Sequence, residues 1–341
     1  MPLNRLLKEQ RPVIALTIGD PNGVGPEVLL RALANESIRR LLTPIVVGPR
    51  PVLEKQLKTL GLKVTLSTAS LPRPTDRDDE IPVVDEGLDR RLEITPGKIT
   101  RAGGMIAGQA LEQALELADK GVLSALVTAP ISKEALHLAG YNYPGHTEFL
   151  AEKSNVDDVV MVLLSGNFRV ALVTTHCPLS EVPQRLSVEK IVRKLQILDK
   201  DLSNRFRINK PKIAVAALNP HAGENGLFGH EEQEIILPAI RAAQELGIDV
   251  HGPFSADSLF TGIDKKRFDV YLAMYHDQGL IPLKMRAFGK GINYTAGLPL
   301  IRTSPDHGTA FDIAGRGVAD STSMEEAIKL AVRLAKNCSE G

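Results

Sequence analysis

Residues 13–33 read V-I-A-L-T-I-G-D-P-N-G-V-G-P-E-V-L-L-R-A-L and decide the fold class. The first six residues are mostly apolar and β-branched, which is typical of a strand buried on both faces of a sheet. A glycine-rich turn follows, and Pro26 opens a stretch to Leu42 whose apolar residues recur at helical spacing. Strand, tight turn and helix in this order predict a parallel βαβ unit and therefore an α/β fold.

The same alternation continues to the end of the chain. Further strands are expected at Pro44–Val47, Ser124–Thr128, Val159–Leu164, Val170–Thr174, Lys212–Ala217 and Val270–Met274. Helices are expected at Gly104–Lys120, Ser187–Asp201, Glu231–Leu246 and, after a capping box over Ser323–Glu326, at Ala327–Lys336. The polar, proline-rich stretch Leu71–Glu80 predicts a surface loop.

Composition narrows the class of protein. A chain of 341 residues suits two domains. The 41 basic and 41 acidic residues cancel without a long basic tract, which argues against nucleic acid or an anionic membrane as the main partner. Two cysteines, no secretory signal and no apolar run of roughly 20 residues predict a cytoplasmic protein.

Three histidines each follow a predicted strand: His176 in V-T-T-H-C-P-L, His221 in L-N-P-H-A-G-E and His276 in M-Y-H-D-Q-G. Ligands of open α/β sheets bind beyond the carboxyl ends of the strands. Neutral imidazole is a common ligand of zinc-like metals. One histidine alone would be an ordinary loop residue, but three on one predicted rim favour a metal site.

The glycine-rich turn is a second candidate. Gly19, Gly23 and Gly25 allow a ligand close to the backbone, and the following helix start offers free N–H groups to an anion or a cofactor. A purely structural tight turn explains the same residues nearly as well.

Two short motifs offer groups for an anionic substrate. In Pro144–Glu148, His146 and Thr147 stand at a predicted helix start, where a capping role is the alternative. Lys284 closes the motif Y-H-D-Q-G-L-I-P-L-K. A lone lysine is usually a solvated surface residue, but its apolar neighbours favour a partly buried loop position that suits a carboxylate or phosphate.

The most specific string is Asn293–Gly315, which reads N-Y-T-A-G-L-P-L-I-R-T-S-P-D-H-G-T-A-F-D-I-A-G. Arg302 has a planar fork that suits an oxyanion. His307 begins a small-residue segment that can accept a flat ring, and Asp312 can accept hydrogen bonds from ribose hydroxyls. A packed turn with a capping aspartate would explain only one of these residues.

The motifs G-D-P-N-G-V-G-P-E, G-H-T-E-F, T-T-H-C-P-L, N-P-H-A-G-E, Y-H-D-Q-G-L-I-P-L-K and G-L-P-L-I-R-T-S-P-D-H-G-T-A-F-D-I-A-G resemble, in order, those of the 4-hydroxythreonine-4-phosphate dehydrogenase family. The first and last also resemble loops of the isopropylmalate and isocitrate dehydrogenase superfamily. The resemblance covers about residues 13–320.

This resemblance implies an isopropylmalate-dehydrogenase-like fold of two α/β/α domains with a cleft between them. We expect one domain over residues 1–130 and 285–341, carrying the glycine-rich and adenosine loops, and a metal, substrate and dimerisation domain over 131–284. The resemblance also implies a homodimer with a shared active site. It assigns a divalent metal (Zn, Co or Mg) to His176, His221 and His276, one of them from the partner subunit. It assigns substrate contacts to His146, Thr147, Lys284, Asn293 and Arg302.

The implied reaction is NAD- or NADP-dependent oxidation of 4-phosphooxy-L-threonine to a β-keto acid, which loses CO2 to give 3-amino-2-oxopropyl phosphate in pyridoxal phosphate biosynthesis. Gly19, Gly23, Gly25, His307 and Asp312 are then the expected cofactor residues. Three alternatives stay open: a D-threonate or D-erythronate 4-phosphate dehydrogenase, a zinc-dependent hydrolase, and a non-catalytic binder of phosphorylated ligands.

Overall fold

The structure is a computed structural model that describes residues 11–68, 80–85, 93–261 and 267–339. The chain forms two compact units. Unit 1 comprises Met1–Asn155 and Pro299–Gly341, and unit 2 comprises Val156–Leu298. Unit 2 begins and ends further along the chain than the predicted boundaries at residues 131 and 284.

Unit 1 is built on parallel strands. Its strands are β1 (Val13–Thr17), β2 (Thr43–Val47), β3 (Thr65–Thr68), β4 (Glu80–Val84), β5 (Ala125–Thr128) and β12 (Arg302–Pro305). Their order across the unit is β3-β4-β2-β1-β5-β12, and every described pairing among them is parallel. Its helices are α1 (Gly25–Ala34), α2 (Glu36–Arg39), α3 (Arg50–Leu60), α4 (Arg101–Asp119), α5 (Lys133–Leu138), α6 (His146–Lys153) and α11 (Thr322–Ser339). The α/β fold class is therefore confirmed.

The predicted helix over Pro26–Leu42 is in fact two helices. Asn35 ends α1 in an extended conformation, and its side-chain oxygen accepts a hydrogen bond from the Ser37 N–H at 3.1 Å. Asn35 therefore caps a new helix, α2, because a short amide side chain satisfies the free N–H groups of a helix start.

Unit 2 mixes strand directions. Its strands are β6 (Val160–Ser165), β7 (Phe168–Leu172), β8 (Ile213–Ala216), β9 (Val250–Phe254), β10 (Val270–Ala273) and β11 (Ile292–Ala296), in the order β11-β6-β7-β10-β8-β9. The strands β7, β10, β8 and β9 are parallel, whereas β6 runs antiparallel to both β7 and β11. A two-residue turn joins β6 to β7, so these two strands form an antiparallel hairpin.

The helices of unit 2 are α7 (Val188–Asn204), a π-helical turn (Glu232–Ile236) that continues into α8 (Leu237–Glu245), α9 (Ala256–Leu259) and α10 (His276–Ala287). The core of this unit packs α10 onto the sheet, where Leu280 and Leu283 meet Val170, Leu172 and Ala273. Because α10 begins at His276, this packing also fixes where that histidine leaves the sheet.

The capping box predicted at Ser323–Glu326 is wrong. The helix α11 begins one residue earlier, at Thr322, whose N–H binds Asp320 Oδ1 at 2.9 Å. The Ser323 hydroxyl instead accepts a hydrogen bond from the Asp306 N–H. Of the predicted loop Leu71–Glu80, only Glu80 lies within the described residues, and it begins β4. No described helix is both long enough and apolar enough to span a bilayer.

Candidate functional site

The three predicted metal histidines follow three adjacent strands of unit 2. His176 comes after β7, His276 after β10 and His221 after β8, and these strands are neighbours in the order β7-β10-β8. Because the three strands are parallel, their carboxyl ends lie on the same edge of the sheet. We call His176, His221 and His276 the histidine rim.

Two members of the histidine rim face each other in one chain. The ring centroids of His176 and His276 are 5.7 Å apart. Both residues line a cavity of about 320 Å³, with walls of Thr175, Cys177, Leu179, Val182, Tyr275 and Asp277. The Asp277 carboxylate lies 2.7 Å from His276 Nδ1, and a carboxylate on one ring nitrogen fixes which nitrogen is available to a ligand.

His221 lies in an unusual turn. Residues 221–225 all have left-handed backbone angles, with φ between 42° and 76°, and four of the five are not glycine. His221 itself is exposed, and its ring lies 6.3 Å from that of Phe228. Within the described part of the chain, no group of three His, Cys, Asp or Glu side chains is close enough to hold a metal ion.

A layer of buried polar side chains lies beneath the histidine rim. The Thr174 hydroxyl donates to the Met274 carbonyl at 2.7 Å, which ties the end of β7 to the end of β10. Gln278 accepts from the Met274 N–H at 2.7 Å and donates to the Ala217 carbonyl at 2.6 Å, which ties β10 to β8. The strand ends that precede the three histidines are therefore fixed to one another.

A second cluster lies in unit 1, where the Arg302 guanidinium is buried beside His146. Arg302 Nε and Nη2 donate to the Thr128 hydroxyl at 3.2 and 2.7 Å. Burial lowers the pKa of Arg302 to about 10, with Glu148 opposing the shift, so the guanidinium stays charged at neutral pH. Burial is the main cause that lowers the pKa of His146 well below its usual value, and the positive charge of Arg302 lowers it further. This imidazole is therefore neutral.

His146 has one further property that suits a ligand. Its Nε2 atom is buried and has no hydrogen-bond partner among the described residues. A buried polar atom without a partner is costly, so such an atom is rare unless a ligand or water completes it. His146 is the first residue of α6, after the cap residue Gly145, and the half-buried Thr147 follows it.

The other two predicted substrate residues belong to unit 2. Asn293 is the second residue of β11, and its Oδ1 atom is likewise buried without a partner among the described residues. Lys284 lies in the third turn of α10 and is exposed, so the expected partly buried loop position is wrong. The preceding Pro282 does not end the helix, because its neighbours Leu280 and Leu283 anchor it to the core.

Backbone carbonyl groups pack closely against the three glycines of the glycine-rich turn. A Cβ atom on Gly19 would lie 2.3 Å from the Pro130 carbonyl oxygen, and one on Gly23 would lie 2.7 Å from the Thr309 carbonyl oxygen. Gly25 is equally tight against Ile18. These contacts explain the glycines by packing, and cofactor binding by them stays a prediction.

The turn does bring the second expected cofactor segment into place. The Val24 N–H donates to the Thr309 carbonyl at 2.8 Å, which holds the segment of His307 beside the glycine-rich turn within unit 1. His307 Nε2 is buried without a partner among the described residues, Gly308 faces open space, and Asp312 is exposed in the following turn.

Sequence reasoning missed three residues that support these groups: Thr128, Glu232 and Gln278. Thr128 and Gln278 act through hydrogen bonds to residues far along the chain, in the pairs 128–302 and 217–278, and Glu232 accepts hydrogen bonds from the N–H groups of Leu218 and Asn219. The one available signal was position, since Thr128 ends a strand and Gln278 follows His276 by two residues.

Known proteins resemble this chain over nearly its whole length. The model of the family described as pyridoxal phosphate biosynthetic protein PdxA matches residues 40–331. A 4-hydroxythreonine-4-phosphate dehydrogenase of Trichlorobacter lovleyi is 45% identical over 95% of this chain and 98% of its own. A D-threonate 4-phosphate dehydrogenase of Salmonella typhimurium is 44% identical over 94% of this chain and 98% of its own.

Solved structures give the same result. The crystal structure of a 4-hydroxythreonine-4-phosphate dehydrogenase from Klebsiella pneumoniae has a TM-score of 0.87 and 41% identity, covering 96% of this chain and 98% of its own. A terephthalate 1,2-cis-dihydrodiol dehydrogenase from Burkholderia xenovorans has a TM-score of 0.65 and 31% identity, covering 94% and 98%. The chain therefore belongs to the PdxA family, and it is an oxidoreductase of the dehydrogenase type.

Proposed function

We propose that this chain oxidises the secondary hydroxyl of 4-phosphooxy-L-threonine with NAD or NADP, in pyridoxal phosphate biosynthesis. A hydride passes to the nicotinamide, a proton leaves the hydroxyl, and the resulting β-keto acid loses CO2 to give 3-amino-2-oxopropyl phosphate. The observation that carries this proposal is the buried Arg302 guanidinium beside His146, whose buried Nε2 atom has no hydrogen-bond partner among the described residues, because such a pair suits an anionic, hydroxyl-bearing molecule.

The pair divides the work of binding. The Arg302 fork binds a carboxylate or phosphate oxygen, and burial strengthens this charge-assisted contact. Neutral His146 offers the unpartnered Nε2 as one hydrogen-bond donor or acceptor, which adds orientation without a second positive charge. Thr147, Asn293 and Lys284 complete the predicted substrate contacts.

The histidine rim is the proposed holder of a divalent metal. Three imidazoles at adjacent strand ends suit Zn²⁺ or Co²⁺, and Mg²⁺ needs more oxygen ligands from the substrate. The 5.7 Å spacing of His176 and His276 fits two ligands of one ion, and we expect the third ligand from a second chain. When bound, such a metal supplies Lewis acidity toward a hydroxyl or carbonyl oxygen.

The nicotinamide cofactor is proposed to contact the His307–Asp312 segment beside the glycine-rich turn. The open space beside Gly308 could accommodate a ring of the cofactor, and the buried Nε2 of His307 could form a hydrogen bond with it. Asp312 is exposed and can accept hydrogen bonds from ribose hydroxyls. Gly19, Gly23 and Gly25 would act from the adjacent turn.

A homodimer with a shared site is the proposed assembly, and exposed apolar residues support it. On α10, Ile281 and Met285 are 58% and 72% exposed, and their spacing puts them on one stripe of the helix. Phe288, which follows the end of the helix in a left-handed conformation, is 86% exposed. Leu179, Leu227 and Phe228, which flank His176 and His221 in the chain, are also exposed. A monomer rarely leaves such a surface uncovered, so we assign it to a second copy of the chain.

Lys284 lies on the same stripe. It stands three residues after Ile281 and one before Met285, so a second copy covering the stripe would also meet the lysine. This position explains how an exposed helix residue can serve an active site. The substitutions Met285→Glu and Phe288→Glu should therefore dissociate the dimer and abolish activity, as measured by sedimentation velocity and turnover.

Complementation tests the shared site directly. Heterodimers are made from each pair of His176→Ala, His221→Ala and His276→Ala subunits, carrying different affinity tags. If one ligand comes from the partner, two of the three pairs rebuild one intact site per dimer and recover up to half of the wild-type activity. The third pair, whose ligands share a chain, stays inactive. No recovery in any proven heterodimer would contradict the shared site.

The substrate is tested by one assay. Purified protein with each divalent metal, NAD or NADP, and one of three phosphorylated acids is followed at 340 nm. The near-equal similarity to dehydrogenases of 4-hydroxythreonine 4-phosphate and D-threonate 4-phosphate makes the second acid, with D-erythronate 4-phosphate, the alternative substrate. Turnover of the 4-hydroxythreonine ester at least tenfold above both others supports the proposal, and the reverse order supports the alternative. Hydrolysis without nicotinamide reduction would instead indicate the zinc hydrolase, which the dehydrogenase relatives disfavour.

A further inference from the structure

We propose that Glu232 is a positioning residue that holds the left-handed turn of His221 in its metal-binding conformation. The proposal rests on the proposed role of His221 in the histidine rim. Glu232 is only 3% exposed and is the first residue of the π-helical turn, eleven residues after His221. A π-helical turn inside a helix is rare and occurs frequently at functional sites.

The turn itself needs external support. Left-handed angles cost roughly 1–2 kcal/mol for each residue that has a Cβ atom. His221, Ala222, Glu224 and Asn225 all adopt them in sequence, with Gly223 between. Such a run persists only where surrounding contacts dictate it. The N–H groups of Leu227 and Phe228 donate to the carbonyls of Glu224 and Gly223, both at 3.2 Å, and so close the end of the turn.

The Glu232 carboxylate supplies the missing contacts at the start of the turn. Oε1 accepts hydrogen bonds from the N–H groups of Leu218 and Asn219 at 2.8 and 2.7 Å. Oε2 accepts one from the Asn219 side chain at 3.0 Å. Three donors on one buried carboxylate fix the chain direction two residues before His221.

The same carboxylate also packs against the middle of the turn. A Cβ atom on Gly223 would lie 2.6 Å from Glu232 Oε2, so only glycine fits there beside the carboxylate. All three hydrogen bonds are accepted by the carboxylate oxygens. A glutamine at 232 would turn its NH2 group toward one of these donors and leave that donor unsatisfied.

The link to Gln278 extends this support to the rest of the histidine rim. Gln278 holds the Ala217 carbonyl, and the next N–H along the chain, that of Leu218, is held by Glu232. Hydrogen bonds therefore link the His221 turn to the strand end that precedes His276. Outer residues that orient metal ligands typically alter metal affinity about 10–100-fold when they are changed.

The test is a metal titration without substrate or nicotinamide. Wild-type dimer, stripped with a chelator, is titrated with Co²⁺, and affinity and the visible absorption band are recorded. Glu232→Gln should weaken Co²⁺ binding about 10–100-fold and alter the band. Glu234→Gln, an exposed position on the same π-helical turn, is the matched control and should bind Co²⁺ as wild type does.

A double-mutant cycle separates positioning from a general loss of structure. If Glu232 acts through His221, Glu232→Gln added to His221→Ala should weaken Co²⁺ binding no further. An equal loss in both backgrounds would overturn the proposal, as would unchanged affinity in Glu232→Gln alone. If Glu232→Gln does not fold, Asn219→Ala perturbs the same carboxylate more gently and should give the same pattern in this cycle; unaltered affinity there would also overturn it.

The outcomes also distinguish this inference from the proposed function. If wild type and His221→Ala bind Co²⁺ equally, the metal role of the histidine rim is wrong. If His221→Ala loses affinity and Glu232→Gln does not, only the role of Glu232 is wrong.

Discussion

The two clusters of candidate functional groups differ in how they are held. In unit 1, the groups themselves are buried: Arg302 is 2% exposed, and His146 hides the nitrogen that it offers. In unit 2, His176 and His221 are exposed, and the buried polar residues are Gln278 and Glu232 beneath them. Unit 1 therefore buries the groups that are expected to bind substrate. Unit 2 exposes two of the expected metal ligands and buries the polar residues that hold them.

This difference has a physical basis. A guanidinium and a neutral imidazole bind an anion more strongly away from water, so burial serves unit 1. Metal ligands must remain accessible to an ion and, in the proposed dimer, to a second chain. Substitutions should therefore affect binding and stability together in unit 1, but affect them separately at the histidine rim.

The largest expected effect concerns the histidine rim, where metal binding and turnover should be lost without a loss of stability. His176→Ala, His221→Ala or His276→Ala should each weaken divalent metal binding, so that the purified variant no longer holds stoichiometric metal, and should lower turnover by at least about 10³-fold, since the metal lowers the barrier by several kcal/mol. The free energy of unfolding should stay within about 0.5 kcal/mol, as for exposed positions. It must be measured with chelator, because bound metal stabilises wild type. Wild-type metal content in any variant would contradict the assignment.

The buried carboxyl group of Asp20 in unit 1 should make the stability of the protein depend on pH. It is fully buried, and burial raises its pKa to about 6, against a partial offset from the Asn22 N–H. The native state thus binds this proton more tightly than the unfolded state does, with its reference pKa of 3.8. The contribution of Asp20 to the free energy of unfolding is therefore greatest below about pH 4. It falls by roughly 3 kcal/mol in total as the pH rises to about 6.

Asp20→Asn removes that penalty and keeps an oxygen for the Asn22 N–H. The variant should therefore gain stability over wild type as pH rises from about 4 to about 6, as measured by urea unfolding across this range. Asp157→Asn, an 85% exposed carboxylate in a surface ion pair, is the control and should show no such trend. A pH-independent difference for Asp20→Asn would reject the raised pKa.

The strands that position both clusters could be predicted from the sequence because they are continuous apolar runs. The predicted Val13–Ile18 and Val270–Met274 differ from β1 and β10 by a single residue. By contrast, β12 was missed, since R-T-S-P contains no apolar residue. Its burial comes from its place beside β5, which no local pattern reveals.

The chemistry was predictable only to the level of residue type. Histidines at strand ends indicate ligands wherever the fold is parallel, so the histidine rim followed from the strands. The left-handed turn did not, because histidine, alanine and glutamate disfavour positive φ, and the contacts that overcome this preference come from Glu232 further along. The neutral state of His146 likewise depends on its burial and, next, on the charge of Arg302, 156 residues away in sequence.

Thr128 tests whether the buried cluster depends on one hydroxyl. Thr128→Val removes the acceptor of two Arg302 hydrogen bonds, which should cost about 1–3 kcal/mol of stability. With the fork misaligned, KM for the phosphorylated acid should rise roughly tenfold, equivalent to about 1.4 kcal/mol, with a smaller change in kcat. Urea unfolding and steady-state kinetics measure the two effects.

The matched control lies on the neighbouring strand. Thr17 pairs with Thr128 in register, is 1% exposed, and its hydroxyl has no hydrogen-bond partner among the described residues. Thr17→Val should therefore leave KM unchanged and cost little stability, because no bond is lost. Equal effects from both substitutions would show that packing, and not the Arg302 contact, matters at this strand end.

The smallest expected effect concerns Asp312, the one exposed group among the candidates of unit 1 with a specific electrostatic role. An aspartate beside the adenosine ribose repels the 2′-phosphate of NADP, and at about 4 Å in water this repulsion is worth about 1 kcal/mol, or roughly fivefold. Asp312→Ala should therefore narrow the preference for NAD over NADP by about that factor in kcat/KM. Asp320→Ala is the control, because Asp320 caps Thr322 and its loss should lower stability without changing the ratio. An unchanged ratio in Asp312→Ala would assign Asp312 to the turn alone, and it would leave His307 and Gly308 as the cofactor contacts of this segment.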